Sequence, residues 1–263
     1  MPLKKILIIL EYQKFLTNNR FIHFQTYYLR MKYIILFSVC LLSFSALHSQ
    51  QKIGKYEISS PYDVREYFLL MPKSVFDASE KAKLLLLECT DYRMAWEKKS
   101  EYKLTTLDLG NGFMAWGTIG DGGGSNYQLT YFTKTDKSRI VAFQELSWSM
   151  CCEVTNHIHF FDVSASNIWT DVTNKYLPAL SFSDFYNQAT PPSTLLSEFS
   201  ITYDLPQKGT TIKAFISHSF FEYMDEKDKN WSEKNLRYNM LDLLWEKGHF
   251  EPANFRKSNK YPW

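Results

Sequence analysis

From about residue 103 onward, short apolar runs alternate with tight-turn sequences, and this rhythm constrains the fold more than any other feature of the chain. The runs 104–109 and 113–119 flank Gly110-Asn-Gly112, which favours a hairpin because Gly and Asn tolerate a positive φ. The runs 127–133 and 139–148 follow and are joined as tightly. Consecutive pairs of this kind predict an antiparallel β-meander.

The later part of the chain continues the pattern. A strand is predicted over 157–163, and Phe199, Ile201 and Tyr203 alternate with polar residues, as expected for a strand with one buried face. Residues 211–216 supply its partner, and 238–245 begin a last hairpin that returns through Phe250. The charged run 225–229 is predicted to be an exposed loop.

Helices are predicted mainly before the strands. Ser60 suits an N-cap with Pro61 at the first helical position, and Pro72 ends this helix after Met71. A second helix is predicted over 77–88, and a short one within 177–186. The fold class predicted is therefore α+β: mainly an antiparallel β-meander with short N-terminal helices.

An export signal is predicted near the N-terminus. Met31 and Lys32 precede an apolar run that ends at Phe44, and small and polar residues follow to Gln50, which is the layout of a cleavable signal peptide. The run is shorter than the roughly 20 residues of a membrane-spanning helix, so no retained span is expected. We interpret residues 1–30 as a mis-assigned upstream extension, 31–49 as the signal peptide and 51–263 as a single exported β-rich domain, periplasmic or secreted.

The charge balance argues against nucleic acid as a partner. Residues 1–50 hold six of the 30 Lys/Arg and one of the 28 Asp/Glu, which leaves 24 basic and 27 acidic residues and a net charge of about −3. No cluster of basic and aromatic residues suggests a surface that follows a phosphate backbone.

Two segments carry a family resemblance. Ile168-Trp-Thr-Asp-Val-Thr, which continues to Pro178, and Leu243-Leu-Trp-Glu-Lys-Gly-His-Phe250 resemble edge sequences of uncharacterised exported β-meander proteins. The resemblance covers about the β-rich two thirds of the chain and departs from the pattern where Cys151 and Cys152 are adjacent. It implies a fold and export, and it implies no activity.

A metal or thiol-redox site is one functional hypothesis. Cys151 and Cys152 precede His157 and His159 closely, and thiolates beside imidazoles suit copper or zinc. The two histidines would share one face of a strand, but so would Phe161 and Val163, so an ordinary half-buried strand fits equally well.

The cysteines of the exported part leave several pairings open. Three cysteines, Cys89, Cys151 and Cys152, follow the predicted signal peptide. Because their number is odd, they cannot all pair with one another in an oxidising compartment. One of the adjacent pair could bridge to Cys89 and staple a helix to the sheet, the adjacent pair could close a strained disulfide, or the thiols could stay unpaired.

Aromatic residues suggest the other hypotheses. All seven Trp follow the predicted cleavage region, and we expect most to fill the core, with Trp231 and Trp263 as candidates for stacking on a ligand because polar residues or the chain end surround them. The preferred function is a non-enzymatic binding or structural module of the cell envelope with a peptide or glycan ligand. A hydrolase assembled from dispersed residues is a further alternative, since no Gly-x-Ser-x-Gly or His-Glu-x-x-His motif occurs.

Overall fold

The structure is a computed structural model that describes residues 51–58, 61–118, 122–149, 154–187, 191–217, 220–221 and 224–258. The predicted signal peptide and upstream extension lie outside these residues. The described residues from Ile53 onward belong to one compact unit. No helix among the described residues is both long and apolar enough to cross a membrane.

Strands dominate the architecture, as predicted. They are β1 (Gln51–Ile53), β2 (Tyr56–Ile58), β3 (Tyr102–Asp108), β4 (Phe113–Thr118), β5 (Gly123–Thr133), β6 (Arg139–Ser149), β7 (Val154–Val163), β8 (Trp169–Asp171), β9 (Ile201–Asp204), β10 (Ile212–Ile216), β11 (Met240–Glu246) and β12 (His249–Arg256). The helices are α1 (Val64–Leu70), α2 (Glu80–Leu86), α3 (Tyr92–Glu97), α4 (Thr173–Tyr176), α5 (Phe182–Phe185), α6 (Ser193–Glu198) and α7 (Glu226–Asn235). The predicted α+β class with a mainly antiparallel meander is confirmed.

The larger sheet has six strands in the order β3-β4-β5-β6-β7-β8, so each strand pairs with its neighbour in sequence. The first hairpin forms where predicted, and Gly112 takes a φ of +67° in its turn. A β-carbon at Gly112 would lie 2.6 Å from the Tyr131 ring, so a side chain there would also collide with β5. Turn chemistry and close packing both require glycine at this position.

The smaller sheet has four strands in the order β12-β11-β10-β9. Tyr203, Ala214 and Leu241 are mutual register partners across β9, β10 and β11, and all three are buried. They belong to a hydrophobic cluster that also contains Phe132 and Phe160 of the larger sheet. The two sheets therefore share one of the two cores.

The second core lies on the opposite face of the larger sheet, where α1, α2 and the segment between them form a helical layer. Phe68 and Phe76 from this layer pack against Trp116, with ring centroids 4.9 and 5.4 Å away. The larger sheet is thus covered on both faces, which explains the continuous apolar stretches 113–116 in β4 and 140–143 in β6.

The N-terminal helices begin later than predicted. Asp63, rather than Ser60, is the N-cap of α1: its carboxylate accepts a hydrogen bond from the Glu66 amide at 2.8 Å, and the Glu66 carboxylate accepts one from the Asp63 amide at 2.7 Å. This reciprocal pair is a capping box, and two donors are satisfied at once. Ser79 is the N-cap of α2, where its hydroxyl accepts a hydrogen bond from the Ala82 amide.

The expectation of an exposed loop over 225–229 is wrong, because these residues begin α7. Asp225 is its N-cap and accepts a hydrogen bond from the Asp228 amide at 2.7 Å. Ser232, one turn on from Asp228, is buried, and its hydroxyl lies 2.8 Å from that of Tyr186. The charged run therefore starts a helix and is only partly solvated, because Asp228 within it is buried and its carboxylate accepts a hydrogen bond from the Thr194 hydroxyl.

Candidate functional site

The two histidines of β7 lie on the face of the larger sheet that the helical layer covers. One cross-strand row runs from Leu129 through Phe143 to His159, and the adjacent row runs from Tyr127 through Glu145 to His157. The first row changes from buried apolar side chains to a polar one at β7, and the second row changes already at Glu145 in β6. The predicted sharing of one face by His157 and His159 is confirmed.

His159 is held by a carboxylate from the neighbouring edge strand. Its Nδ1 lies 3.0 Å from Oδ2 of Asp171 in β8, and Oδ1 of Asp171 accepts a hydrogen bond from the Thr173 amide at 2.8 Å. The Thr173 hydroxyl in turn accepts one from the Phe160 amide at 2.9 Å. This chain of contacts fixes the orientation of the imidazole and leaves its Nε2 for other partners.

The pKa of Asp171 lies below its usual value. Partial burial alone would raise this pKa, but hydrogen bonds from the Thr173 side chain and backbone and from His159 outweigh the effect of burial. The carboxylate is therefore ionised at neutral pH and accepts hydrogen bonds only.

Two clefts meet at this pair. The first, which we call the aromatic cleft, has a volume of about 230 Å³ and is lined by Pro72, Ser74, Val75, His159, Phe161, Trp169 and Asp171. The second, the polar cleft, has a volume of about 630 Å³ and is lined by His159, Asp171, Val172, Thr173, Asn174 and Lys175. A ligand at His159 would thus meet aromatic rings on one side and polar groups on the other.

The wall of the aromatic cleft is rigid. Trp169 Nε1 donates a hydrogen bond to Oδ1 of Asn167 at 2.8 Å, and the indole packs edge-on against Phe161 at 5.4 Å and Tyr67 at 6.4 Å. Phe161 also stacks beside the His159 ring at 5.9 Å. Because these rings fix each other, a ligand would lose little free energy in ordering them.

A polar network lies in the adjacent row, around Glu145. Its Oε1 accepts a hydrogen bond from the Ser147 hydroxyl at 3.0 Å and lies 3.4 Å from the Ser125 and Tyr127 hydroxyls. Burial is the main cause that raises the pKa of Tyr127 to about 12, so this hydroxyl stays protonated and can donate. Glu145 is the register partner of His157 and extends the polar surface along the sheet.

The structure tests the metal hypothesis only in part. Cys151 and Cys152 lie outside the described residues, and within the described part of the chain no group of three or more His, Cys, Asp or Glu is arranged to hold a metal ion. Copper or zinc at Cys151, Cys152, His157 and His159 stays a prediction.

The disulfide hypotheses likewise stay predictions. Cys89, the cysteine that falls within the described residues, is buried and unbridged there. Its carbonyl accepts a hydrogen bond from the Leu104 amide of β3, the edge strand opposite β8.

Of the two indoles singled out from the sequence, Trp231 lies within the described residues. Trp231 is half-buried, and its ring packs against Phe182 at 6.1 Å and Tyr186 at 5.8 Å, which gives it a place in the core. Trp263 lies outside the described residues, so its stacking role stays a prediction. Trp96 is 80% exposed, and Tyr92 beside it is 61% exposed.

A third cleft, of about 630 Å³, opens where the two sheets meet and contains Asp204, Lys213, Asp242 and Arg256. Lys213 is the register partner of both aspartates, and Arg256 donates to Asp242 at 2.8 Å. Burial is the first cause of the raised pKa of Asp204, which Lys213 partly offsets. These charges largely satisfy one another, so this cleft is a weaker candidate than the two at His159.

Comparison with known proteins supports the fold and adds nothing on activity. No protein-family model and no curated protein matches the chain. Among solved structures, a domain of an uncharacterized protein from Porphyromonas gingivalis W83 is similar, with a TM-score of 0.51 and 14% identity over 72% of this chain and 97% of that one. The chain is therefore similar to an uncharacterised β-rich domain.

Asp171, Ser74 and the aromatic residues Phe161 and Trp169 line the aromatic cleft but were not candidates from the sequence. Asp171 lies within the segment that carries the family resemblance, two residues before Thr173. An Asp so close to a Thr in the sequence is a local signal for hydrogen bonds between side chains and the backbone. Ser74 lies between two helices and has no such signal.

Proposed function

We propose that this chain is an exported binding module of the cell envelope that takes a glycan ring in the aromatic cleft. The observation that carries the proposal is the composition of that cleft, in which Trp169 and Phe161 stand beside the fixed polar pair of His159 and Asp171. A sugar ring has an apolar face that stacks on aromatic rings and hydroxyls that donate to a carboxylate.

The size of the cleft favours a small group. Its volume of about 230 Å³ is below the roughly 300–1,000 Å³ of sites that enclose a drug-sized ligand. One ring would fill it, and the rest of a chain-like ligand would extend into the polar cleft past Asn174 and Lys175. Export follows from the signal-like segment at Met31 and makes envelope glycans available to the site.

Removal of the Asp171 side chain tests the binding proposal. We expect Asp171→Ala to weaken binding of soluble oligosaccharides on the order of tenfold or more, because hydrogen bonds to charged groups contribute about 1.5–3 kcal/mol. Titration calorimetry of the wild type and the variant against the same oligosaccharides measures the change.

A matched control comes from the next strand. Asp162 of β7 is as exposed as Asp171, at 51% of its side chain, and its carboxylate faces Lys134 at 3.8 Å rather than the cleft. Asp162→Ala should leave the affinity unchanged. Equal losses in both variants, or a ligand set restricted to short peptides, would contradict the glycan assignment.

A second candidate, a hydrolase, is favoured by the same pair of residues. A histidine whose Nδ1 is held by a carboxylate is the base of a Ser-His-Asp arrangement, and Ser74 lines the cleft that contains both. Ser74 Oγ would bond to the acyl carbon of an ester, His159 would pass the serine proton to the departing alcohol, and water would then release the acid.

Labelling with a fluorophosphonate separates the two candidates. A hydrolase should incorporate one probe at Ser74, lose the label in Ser74→Ala and keep it in Ser166→Ala, which replaces an exposed turn serine elsewhere. His159→Ala should slow labelling by at least about 100-fold if the imidazole is the general base. Peptide mass spectrometry locates the probe, and an unlabelled wild-type protein eliminates this candidate.

A further inference from the structure

The helix α3 carries an exposed aromatic pair. Tyr92 and Trp96 are 61% and 80% exposed and are four residues apart, so their rings project from one face of the helix. Ala95 is fully buried, so α3 packs against the rest of the protein on the side of this residue. Trp side chains are highly buried on average in folded proteins, so this degree of exposure calls for a functional explanation.

A basic side chain contacts one of the two rings, and a second lies near the other in sequence. The ammonium of Lys103 lies 3.7 Å from the centroid of the Tyr92 ring, and Lys99, three residues after Trp96, is exposed. We call Tyr92, Trp96, Lys99 and Lys103 the α3 patch. Aromatic rings with lysines beside them are typical of side chains at a membrane–water interface, where the ring enters the headgroup region and the ammonium meets lipid phosphate.

The acidic residues near the α3 patch are largely neutralised within the protein. Glu88 receives Lys98 at 2.8 Å and Lys55 at 3.0 Å, and hydrogen bonds from these two lysines hold the pKa of Glu88 at about 2. Glu97 pairs with Arg93 at 2.9 Å.

The remaining acids do not reverse the sign of the region. The Asp91 carboxylate accepts a hydrogen bond from the Met94 amide and caps α3. Glu101 is exposed, and the positive charges of Lys99 and Lys103 offset its negative charge. Five basic and four acidic residues leave the region at about +1, whereas residues 51–263 as a whole carry about −3. The basic residues are Lys55, Arg93, Lys98, Lys99 and Lys103, and the acidic ones are Glu88, Asp91, Glu97 and Glu101.

We propose that the α3 patch docks this protein on an anionic phospholipid surface. The charge distribution supports a lipid partner, since a negative molecule approaches an anionic bilayer only through a positive face, and the rings then enter the interface. A glycan or peptide ligand would prefer a concave site, and none of the three clefts is lined by a residue of α3. The docking is independent of the ligand proposed for the aromatic cleft.

Co-sedimentation with vesicles tests this proposal. The protein comprising residues 51–263 should bind phosphatidylcholine vesicles that contain phosphatidylglycerol and should bind pure phosphatidylcholine vesicles at least about tenfold more weakly. Lys99→Glu with Lys103→Glu should reduce binding by about fivefold or more for each lysine, and added salt should reduce it further.

Aromatic variants and a matched control complete the experiment. Tyr92→Ala with Trp96→Ala should reduce vesicle binding at least about tenfold, whereas Ile168→Ala, which removes an apolar side chain that is 62% exposed elsewhere, should not. Circular dichroism checks that each variant is folded. Equal binding to both vesicle types, unchanged binding by the aromatic variant, or self-association of the wild type that this variant abolishes would overturn the proposal.

Discussion

Replacement of Trp116 by alanine is expected to lower the free energy of unfolding by about 3–5 kcal/mol. The indole is fully buried at the centre of the helix-facing core. Its ring centroid lies 4.9 Å from Phe68, 5.4 Å from Phe76 and 5.4 Å from Tyr127. The substitution would leave a cavity where the helical layer meets the sheet, because close-packed aromatic neighbours relax only in part.

Urea denaturation of Trp116→Ala and Trp96→Ala measures this effect against a matched control. Both variants remove an indole, but Trp96 is 80% exposed, so its loss should change the free energy of unfolding by no more than about 0.5 kcal/mol. A difference in midpoint with similar slopes would assign the effect to stability. Similar losses in the two variants would contradict the packing of the helical layer on the larger sheet.

The second large effect is expected in the alkaline stability profile and originates at Lys83. This side chain is 3% exposed, and its ammonium donates to the Leu69 carbonyl at 3.4 Å and to the Met71 carbonyl, both at the end of α1. Burial lowers the pKa of Lys83 to about 8, an effect that Glu80 partly offsets. The folded state therefore binds the proton less tightly than the unfolded state does.

The sign of the pH dependence follows from this difference. Between about pH 8 and pH 10.5 the unfolded chain keeps the Lys83 proton while the folded protein loses it, so stability rises with pH, by about 3 kcal/mol over the whole interval. Tyr127 and Tyr203 act in the opposite sense above pH 10, because burial raises the pKa of each to about 12. We expect maximum stability near pH 10.

Lys83→Met isolates the contribution of the amine and keeps most of the apolar stem. Urea titrations across this pH interval should show the rise in the wild type and its absence in the variant, while the decline above about pH 10 persists in both. The test compares how steeply the free energy of unfolding changes with pH, because the variant also loses two hydrogen bonds, and that loss lowers its stability at every pH. An equal rise in the variant would show that Lys83 is not the buried base.

The sequence predicted most strands correctly because their signals are local. Gly112 with a positive φ is readable from a few neighbouring positions, and β9 forms where its apolar residues predicted a strand. The expected wet face of β9 is wrong, because Thr202 on that face is 3% exposed. The predicted meander followed from the short connections, and the six-stranded sheet has that topology.

The sequence could not predict which side chains meet across the fold. His159 and Asp171 are twelve residues apart, and their contact depends on the register of β7 against β8. The environments of Trp231 and Trp96 depend on packing in the same way. Trp231 lies between the polar residues Asn230 and Ser232, but α7 places it against α5. Trp96 follows the apolar Met94 and Ala95, but α3 turns it outward. Burial of this kind is decided by the packing of elements that are distant in the chain.

Backbone amide shift mapping with a soluble oligosaccharide tests the central claim most directly. If the aromatic cleft binds a glycan ring, the largest shifts should fall at Ser74, His159, Trp169 and Asp171, with smaller ones at Asn174 and Lys175. They should disappear in Asp171→Ala and persist in Asp162→Ala. Shifts centred on α3 or on the cleft between the sheets, or no shifts with any oligosaccharide that envelope glycans contain, would contradict the assignment of this cleft.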